Sequence, residues 1–529
     1  MADRRMCRSE TSADTGVGYF PLAVILLSLF AISLILRTLF LGNTFQSSDN
    51  AELAFKILKN DGAGYGWIVR EYYGALINVY VKLFVGLLSL FGVVITEFWW
   101  KLPIALVGSL QAPLTYLLLK RRLGCSDLGA LFGAAFVAIL PIHVFESRYL
   151  WGYEVLGVFF VTLAIWKLID FFEAPALRTG LVASAFSGLY LISHGYILPF
   201  IPSLISLILL FVQSEKNYLL GRLAAGIRLC TRHFVWLFPL LFFPLCIWPL
   251  GHSLLKPTRL GFYVAEHLPG FIENTGYLLT SAIFAAVVVG LFANRARLKA
   301  VLLCMSCGAA YLAPLFMGTP SGITVIRGYM LMGTFFLVLC AAIVFDRAIT
   351  ARAIKRVSIA AVSAVFFLTS WGTIESIFGR DAWLDPSGVK IGRGEVSPDF
   401  GSKAGGFLVR KYVKDSHKVL AISGSVEPPV LFYYFGRSQY SIFDLPSDQA
   451  VAKFYELKDE MDVILCSPSQ ASAVASDPGF EKRAVIVSEG EPRLLIYTRP
   501  HVEIPTGVVE AGNFNSAFDR EYAWRVSFR

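Results

Sequence analysis

Residues 75–94 read ALINVYVKLFVGLLSLFGVV, and whether this stretch crosses a membrane decides how the rest of the chain is arranged. It is apolar and long enough to span, since about 20 apolar residues cover a hydrocarbon core of about 30 Å. Around it lie the apolar runs 19–41, 99–119, 128–145, 155–172, 181–196, 197–213, 233–255, 277–294, 299–317, 328–345 and 357–377. Short basic segments separate them: 1–16 with Arg4, Arg5 and Arg8, then Lys120-Arg121-Arg122, 173–180, 214–232, Arg295 with Arg297, and 346–356. Cytoplasmic loops of helical membrane proteins carry an excess of Lys and Arg. If 75–94 lies in the interface or re-enters, all of these clusters fall on one side. If it spans, the N-terminal cluster lands opposite the others. The expectation is a polytopic α-helical membrane protein of about 11 transmembrane helices, with 75–94 not spanning, the N-terminus cytoplasmic and the C-terminus outside.

Composition points the same way. The 529 residues are 56% hydrophobic and only 16% charged, which excludes an ordinary soluble globular chain. The net charge of +9 resides mostly in the short loops, where it sets orientation, and no nucleic-acid motif accompanies it. The run Val17–Phe40 is long for a signal-peptide core and lacks a small-x-small cleavage site, so it reads as a retained signal anchor. Most of the eight cysteines lie in apolar runs. Only Cys466 lies in the polar C-terminal third, so no disulfide is expected within it. Cys304 and Cys307 form a CxxC inside an apolar run with no second pair, and no metal site is assigned there.

The expected organisation is a cytoplasmic tail (1–18), a transmembrane domain (19–377) with a first outer loop at 42–98, a Gly- and Asp-rich linker (378–403) and an extracytoplasmic α/β domain (404–529). Helices and strands alternate in that last region, which suggests a mainly parallel sheet. It has neither GxGxxG nor GxxxxGK[ST], so no nucleotide site is read there. The tail 500–529 has no assigned role.

The outer face then collects a specific set of polar residues. Residues 45–52, FQSSDNAE, place Asp49 and Glu52 one helical turn apart behind Ser47 and Ser48. Arg70, Tyr72, Tyr73, Arg148, Tyr153, Glu154, His194 and Arg327 lie on the same side. Ionisable groups at the membrane boundary are functional candidates by default. Each also has a plainer reading. The acids can cap a helix, an Arg can snorkel, tyrosines can form an interfacial belt, and a lone His can be hydrogen-bonded core.

The order of motifs narrows the choice. Asp49 follows the first span. Trp100-Lys101-Leu102-Pro103 opens the next, which ends in Lys120-Arg121-Arg122-Leu123-Gly124. Then come Leu140-Pro141-Ile142-His143-Val144-Phe145-Glu146-Ser147-Arg148, Tyr153-Glu154, Ser193-His194-Gly195-Tyr196 and Ile326-Arg327-Gly328-Tyr329. This series resembles the C-type glycosyltransferases, in the branch of dolichyl-phosphate-mannose–protein mannosyltransferases and bacterial aminoarabinose transferases. Asn50, not a second acid, follows Asp49, and Arg70-Glu71-Tyr72-Tyr73 stands where relatives carry His-Pro-Pro-Leu-Tyr.

The resemblance implies an inverting transfer of a sugar from a polyprenyl-phosphate donor to a hydroxyl of a glycan, lipid or protein. Such chemistry needs a carboxylate to take the acceptor's proton, here Asp49 with Glu52 nearby. It needs cations on the leaving phosphate, here Arg148, Arg327 and Arg70. Glu154, Tyr153, Tyr72, Tyr73 and His194 would line the pocket. Asp49 and Glu154 could hold a divalent cation, although spacing alone does not establish one. The expected partners are the donor lipid, the acceptor and the bilayer, with no nucleic acid. Two rival classes remain at this point: a multispan transporter, against which no inverted repeat is found, and a non-catalytic scaffold for surface-polysaccharide assembly.

Overall fold

The computed structural model describes residues 19–39, 41, 54, 75–93, 95–150, 152–193, 197–212, 219–232, 298–316, 323–348, 357, 361, 364, 368, 382–384, 391–393, 402–422, 435, 440–442, 447–488, 491–504, 509–513 and 523–528. The expected spans 233–255 and 277–294, most of 357–377, and most of the first outer loop lie outside the described residues. Two compact units emerge. One comprises Met1–Arg37, Ala105–Ser147 and Glu154–Trp371, and the other comprises Thr38–Ile104, Arg148–Tyr153 and Gly372–Arg529.

The first unit is helical. Its elements are α1 (Tyr19–Thr38), then, after α2 (Ala75–Leu90), the body of α3 (Glu97–Arg121), α4 (Asp127–Ile139), α5 (Pro141–Glu146), α6 (Tyr153–Glu173), α7 (Leu177–Ile192), α8 (Ile197–Phe211), α9 (Leu219–Arg232), α10 (Leu298–Phe316) and α11 (Ile323–Ala348). Among the described residues, three stretches are long and apolar enough to cross a membrane: Pro21–Thr38, Glu97–Arg121 and Glu154–Glu173. Other apolar helices are shorter. Among them α2, within 75–94, has 16 residues and so runs about 24 Å. The expected loop 214–232 is a helix over most of its length, because Leu220, Leu223 and Ile227 recur at helical spacing between Arg222, Arg228 and Arg232.

Helices α10 and α11 cross at glycines. A Cβ on Gly333 would meet Leu312 Cγ at 2.5 Å and the Gly308 carbonyl at 3.4 Å, so only a small residue allows this approach. Buried polar bonds stitch neighbouring helices together. Tyr190 and Tyr311 share a hydroxyl bond of 2.8 Å between α7 and α10. Gln111 Nε2 donates to Thr162 Oγ1 at 2.9 Å between α3 and α6. A charged cluster joins several helix ends: Lys120 pairs with Asp127 at 3.0 Å, Arg122 with Asp170 at 2.7 Å, and the Ser126 amide donates to Asp346 at 2.9 Å.

The second unit carries the sheet. Its elements there are β1 (Ala382–Leu384), β2 (Ile391–Arg393), α12 (Ser402–Tyr412), β3 (Val419–Ile422), β4 (Tyr440–Ile442), α13 (Ser447–Leu457), β5 (Val463–Cys466), α14 (Ala471–Ala475), β6 (Glu481–Ser488), β7 (Glu491–Thr498), β8 (Val509–Asn513) and β9 (Ala523–Phe528). The seven-stranded sheet runs β4-β3-β5-β7-β6-β9-β8. Among the described residues, the β3–β4 and β3–β5 pairs of this sheet are parallel and the other four are antiparallel. The expectation of a mainly parallel sheet is therefore corrected. Only Glu489 and Gly490 separate β6 from β7, and two residues can join antiparallel strands but not parallel ones.

Central strands alternate their side chains between two buried faces. Val419, Ala421, Val463, Leu465, Leu494 and Ile496 meet Leu408 and Val409 of α12 on one face. Leu420, Ile422, Ile464, Leu495 and Tyr497 meet Ala450 and Phe454 of α13 on the other. The previously unassigned tail supplies β8 and β9, and the expected linker contains the antiparallel β1–β2 pair. Cys466 is buried, and burial pushes its thiol up to about 12, so it is inert at neutral pH.

Truncating the full-length chain after residue 504 removes β8 and β9 and bares the β6 edge. The expected outcome is aggregation in detergent, read as loss of the monodisperse peak on size exclusion.

Candidate functional site

The site grows from a break in the chain. Leu140 is extended (φ −61°, ψ 116°) and Pro141 opens α5, so α4 ends at Ile139. Proline has no N–H, so the Val137 carbonyl loses the donor that a continuing helix would supply. Arg37, in the last turn of α1, fills the gap. Its Nη2 reaches the Val137 carbonyl at 3.4 Å and its Nη1 reaches the Ala138 carbonyl at 2.9 Å. Nη1 also donates to Ser33 Oγ at 2.6 Å and to the Ser33 carbonyl at 3.0 Å. Arg37 is fully buried.

The same guanidinium fixes His143. Nη2 lies 2.9 Å from His143 Nδ1. Arginine can only donate, so Nδ1 is the acceptor and the imidazole is neutral with its proton on Nε2. Ser147 donates to the His143 carbonyl and lies 3.3 Å from Nδ1. Helix α3 approaches this knot through a glycine: a Cβ on Gly108 would fall 2.1 Å from Ser147 Oγ and 3.2 Å from Arg37 Nε.

One residue further on, in the second unit, Arg148 is 3% exposed and donates from Nη1 to the Leu39 carbonyl at 2.6 Å. Burial lowers its pKa to about 9, which still leaves it protonated at neutral pH. Lys101 makes the parallel bond, Nζ to the Leu41 carbonyl at 3.0 Å. Both cations thus hold the segment that follows α1, where carbonyls exposed by the helix end favour positive charge. Asp49 follows Leu39 by ten positions along the chain.

Of the residues singled out in the sequence, Arg148 and Glu154 are described in full, and both are buried. Glu154 lies in the first turn of α6, next to Tyr153, whose side chain is outside the described residues. Arg327 lies in the first turns of α11, and its side chain is likewise outside them. Asp49, Glu52, Arg70, Tyr72, Tyr73 and His194 lie outside the described residues. Sequence reasoning passed over Arg37, Ser147 and the roles of Lys101 and Gly108. The available signal was a single Arg ending an apolar run, facing a Leu-Pro break a hundred residues later.

No family model matches the chain, and no curated protein matches its sequence. Solved structures do match its fold. The crystal structure of ArnT from Cupriavidus metallidurans in the apo state superposes with a TM-score of 0.57 at 13% identity, covering 90% of this chain and 98% of that one. The same protein bound to undecaprenyl phosphate gives a TM-score of 0.57 at 13% identity, covering 92% of this chain and all of the other. The chain therefore shares the fold of these ArnT structures over most of its length.

Replacing Arg37 with Ala leaves His143 and two carbonyls without their charged donor, and each buried acceptor left unsatisfied costs about 1–3 kcal/mol. A large loss of thermal stability of the detergent-purified protein is the expected readout. Gly108→Ala is expected to destabilise for steric reasons, whereas Gly86→Ala on α2, whose added Cβ meets nothing within 4 Å, should be neutral or stabilising by about 0.5–1 kcal/mol.

Proposed function

We propose that this chain is an inverting glycosyltransferase that moves a sugar from a polyprenyl-phosphate donor to a hydroxyl acceptor on the outer side of a bacterial inner or plasma membrane. The observation that carries the reading is the ArnT fold over nearly the whole chain, in a protein whose structure includes bound undecaprenyl phosphate. Asp49 deprotonates the acceptor hydroxyl, whose oxygen attacks the anomeric carbon from the face opposite the phosphate. Arg148, with Arg327 and Arg70, stabilises the charge that builds on the departing phosphate. Glu154, Tyr153, Tyr72, Tyr73 and His194 shape the pocket, and Glu52 assists Asp49.

Two further observations support this arrangement. Arg148 is anchored by the segment that leads directly into the Asp49 loop. The second unit also groups Thr38–Ile104, Arg148–Tyr153 and Gly372–Arg529, and these are mostly segments that the charge pattern assigns to the outer face. About 11 spans, with α2 lying in the interface and the α/β region outside, complete the reading.

Membranes carrying wild type or Asp49→Asn, supplied with labelled polyprenyl-phosphate sugars, test the chemistry. Loss of the base is expected to cut transfer about 10²–10⁴-fold. Undiminished transfer by the variant removes Asp49 from the mechanism. Arg148→Gln should lower kcat/KM roughly 10–100-fold, the worth of a charge-assisted hydrogen bond. A topology reporter fused after residue 96 should report the outside; a cytoplasmic signal there would mean that 75–94 spans.

A further inference from the structure

Three adjacent strands bring three ligand-type side chains to one end of the sheet. Strands β3 and β5 are parallel neighbours, and β7 is antiparallel to β5. The chain therefore enters β3 and β5, and leaves β7, at the same end. Val419 is in register with Val463, and Val463 with Thr498. His417 stands just before β3, Asp462 immediately before β5, and His501 just after β7. Backbone bonds lock these positions: the Asp462 amide donates to the Lys418 carbonyl and the Arg499 amide to the Asp462 carbonyl, both at 2.9 Å.

The side chains converge. His501 Nε2 lies 2.9 Å from Asp462 Oδ1, and His417 Nδ1 lies 3.6 Å from Asp462 Oδ2. One ligand atom from each residue falls within 4.8 Å of the other two, and this is the one such group among the described residues. Tetrahedral coordination with bonds of about 2.0–2.2 Å puts neighbouring ligand atoms about 3.3–3.6 Å apart. The two His–Asp spacings lie within about 0.4 Å of that range and the third pair is within 4.8 Å, so side-chain rotation brings the three ligand atoms onto one cation. The Lys418 amide donates to Asp462 Oδ2 at 2.8 Å, which orients the carboxylate as an outer-shell partner does.

We infer that His417, Asp462 and His501 form a divalent-cation site of the zinc class, with solvent in the remaining position. Two imidazole nitrogens and one carboxylate suit zinc and its borderline neighbours, whereas calcium and magnesium prefer oxygen ligands. The nearest cationic side chains are engaged elsewhere. Lys418 Nζ faces Glu460 at 3.3 Å, and Arg499 donates to the Met461 and Lys458 carbonyls at 2.9 Å. His501 is 56% exposed at its side chain, so the position open to solvent is accessible from outside. Bound there, the cation cross-links the ends of three strands and braces this edge of the domain. None of the three residues is among those proposed for sugar transfer.

The test uses the full-length protein in detergent, stripped with chelator and titrated with Zn²⁺ by calorimetry and by metal analysis. Wild type should bind one more zinc per chain than a His417→Ala/His501→Ala variant, and zinc should raise the melting temperature of wild type only. His501→Ala alone alters an exposed side chain, so it should melt like wild type without metal yet bind zinc at least about 10-fold more weakly. Equal zinc stoichiometry and affinity in wild type and variants would overturn the assignment. So would an equal melting shift with Mg²⁺ in place of Zn²⁺.

Discussion

A single buried charge holds the helical unit in register. Arg37 ends the first apolar helix, yet its guanidinium is fully buried. Placing that cation away from water is costly unless every contact is productive. Here the cost is offset by two carbonyls at the end of α4, one of which, that of Val137, Pro141 has deprived of its helical donor. The break at Leu140-Pro141 and the Arg at position 37 therefore need each other. The break turns the chain from α4 into α5, and α5 carries His143 to the Arg37 guanidinium.

The consequence for chemistry is positional. Arg148 and Lys101 both grip carbonyls just past α1, so the segment leading to Asp49 leaves the helix from a fixed, positively charged platform. A developing phosphate charge is best stabilised by donors that are already in place and need not reorganise. Arg148 is buried and remains protonated, which suits that role. Gly108 shows how narrow the arrangement is, since a single added methyl would collide with Ser147.

Much of this was legible in the chain, but unevenly. Apolar length and the side preference of Lys and Arg are local, additive signals, so apolar helices of membrane-crossing length could be read directly, while most of the expected outer-face residues lie outside the described ones. Motif order led to the same fold that the ArnT structures display. The sheet was misjudged because alternating helices and strands suggested crossovers, while the two-residue gap between β6 and β7 required a reversal. β8 and β9 were missed because short strands in a polar tail have no meaning until β6 offers them an edge.

The sequence by itself determined the membrane character, the basic loops, the acidic motif at Asp49 and Glu52, and the helix–strand succession after residue 404. These depend on composition and on neighbours a few residues away. Tertiary structure alone decided that Arg37 serves carbonyls a hundred residues distant, that Arg148 caps the end of α1, and that His417, Asp462 and His501 meet at one sheet end. The physical reason is the same in each case. A donor's partner, or a ligand's companions, are chosen by strand register and helix crossing, and neither is written in the local spacing of residues.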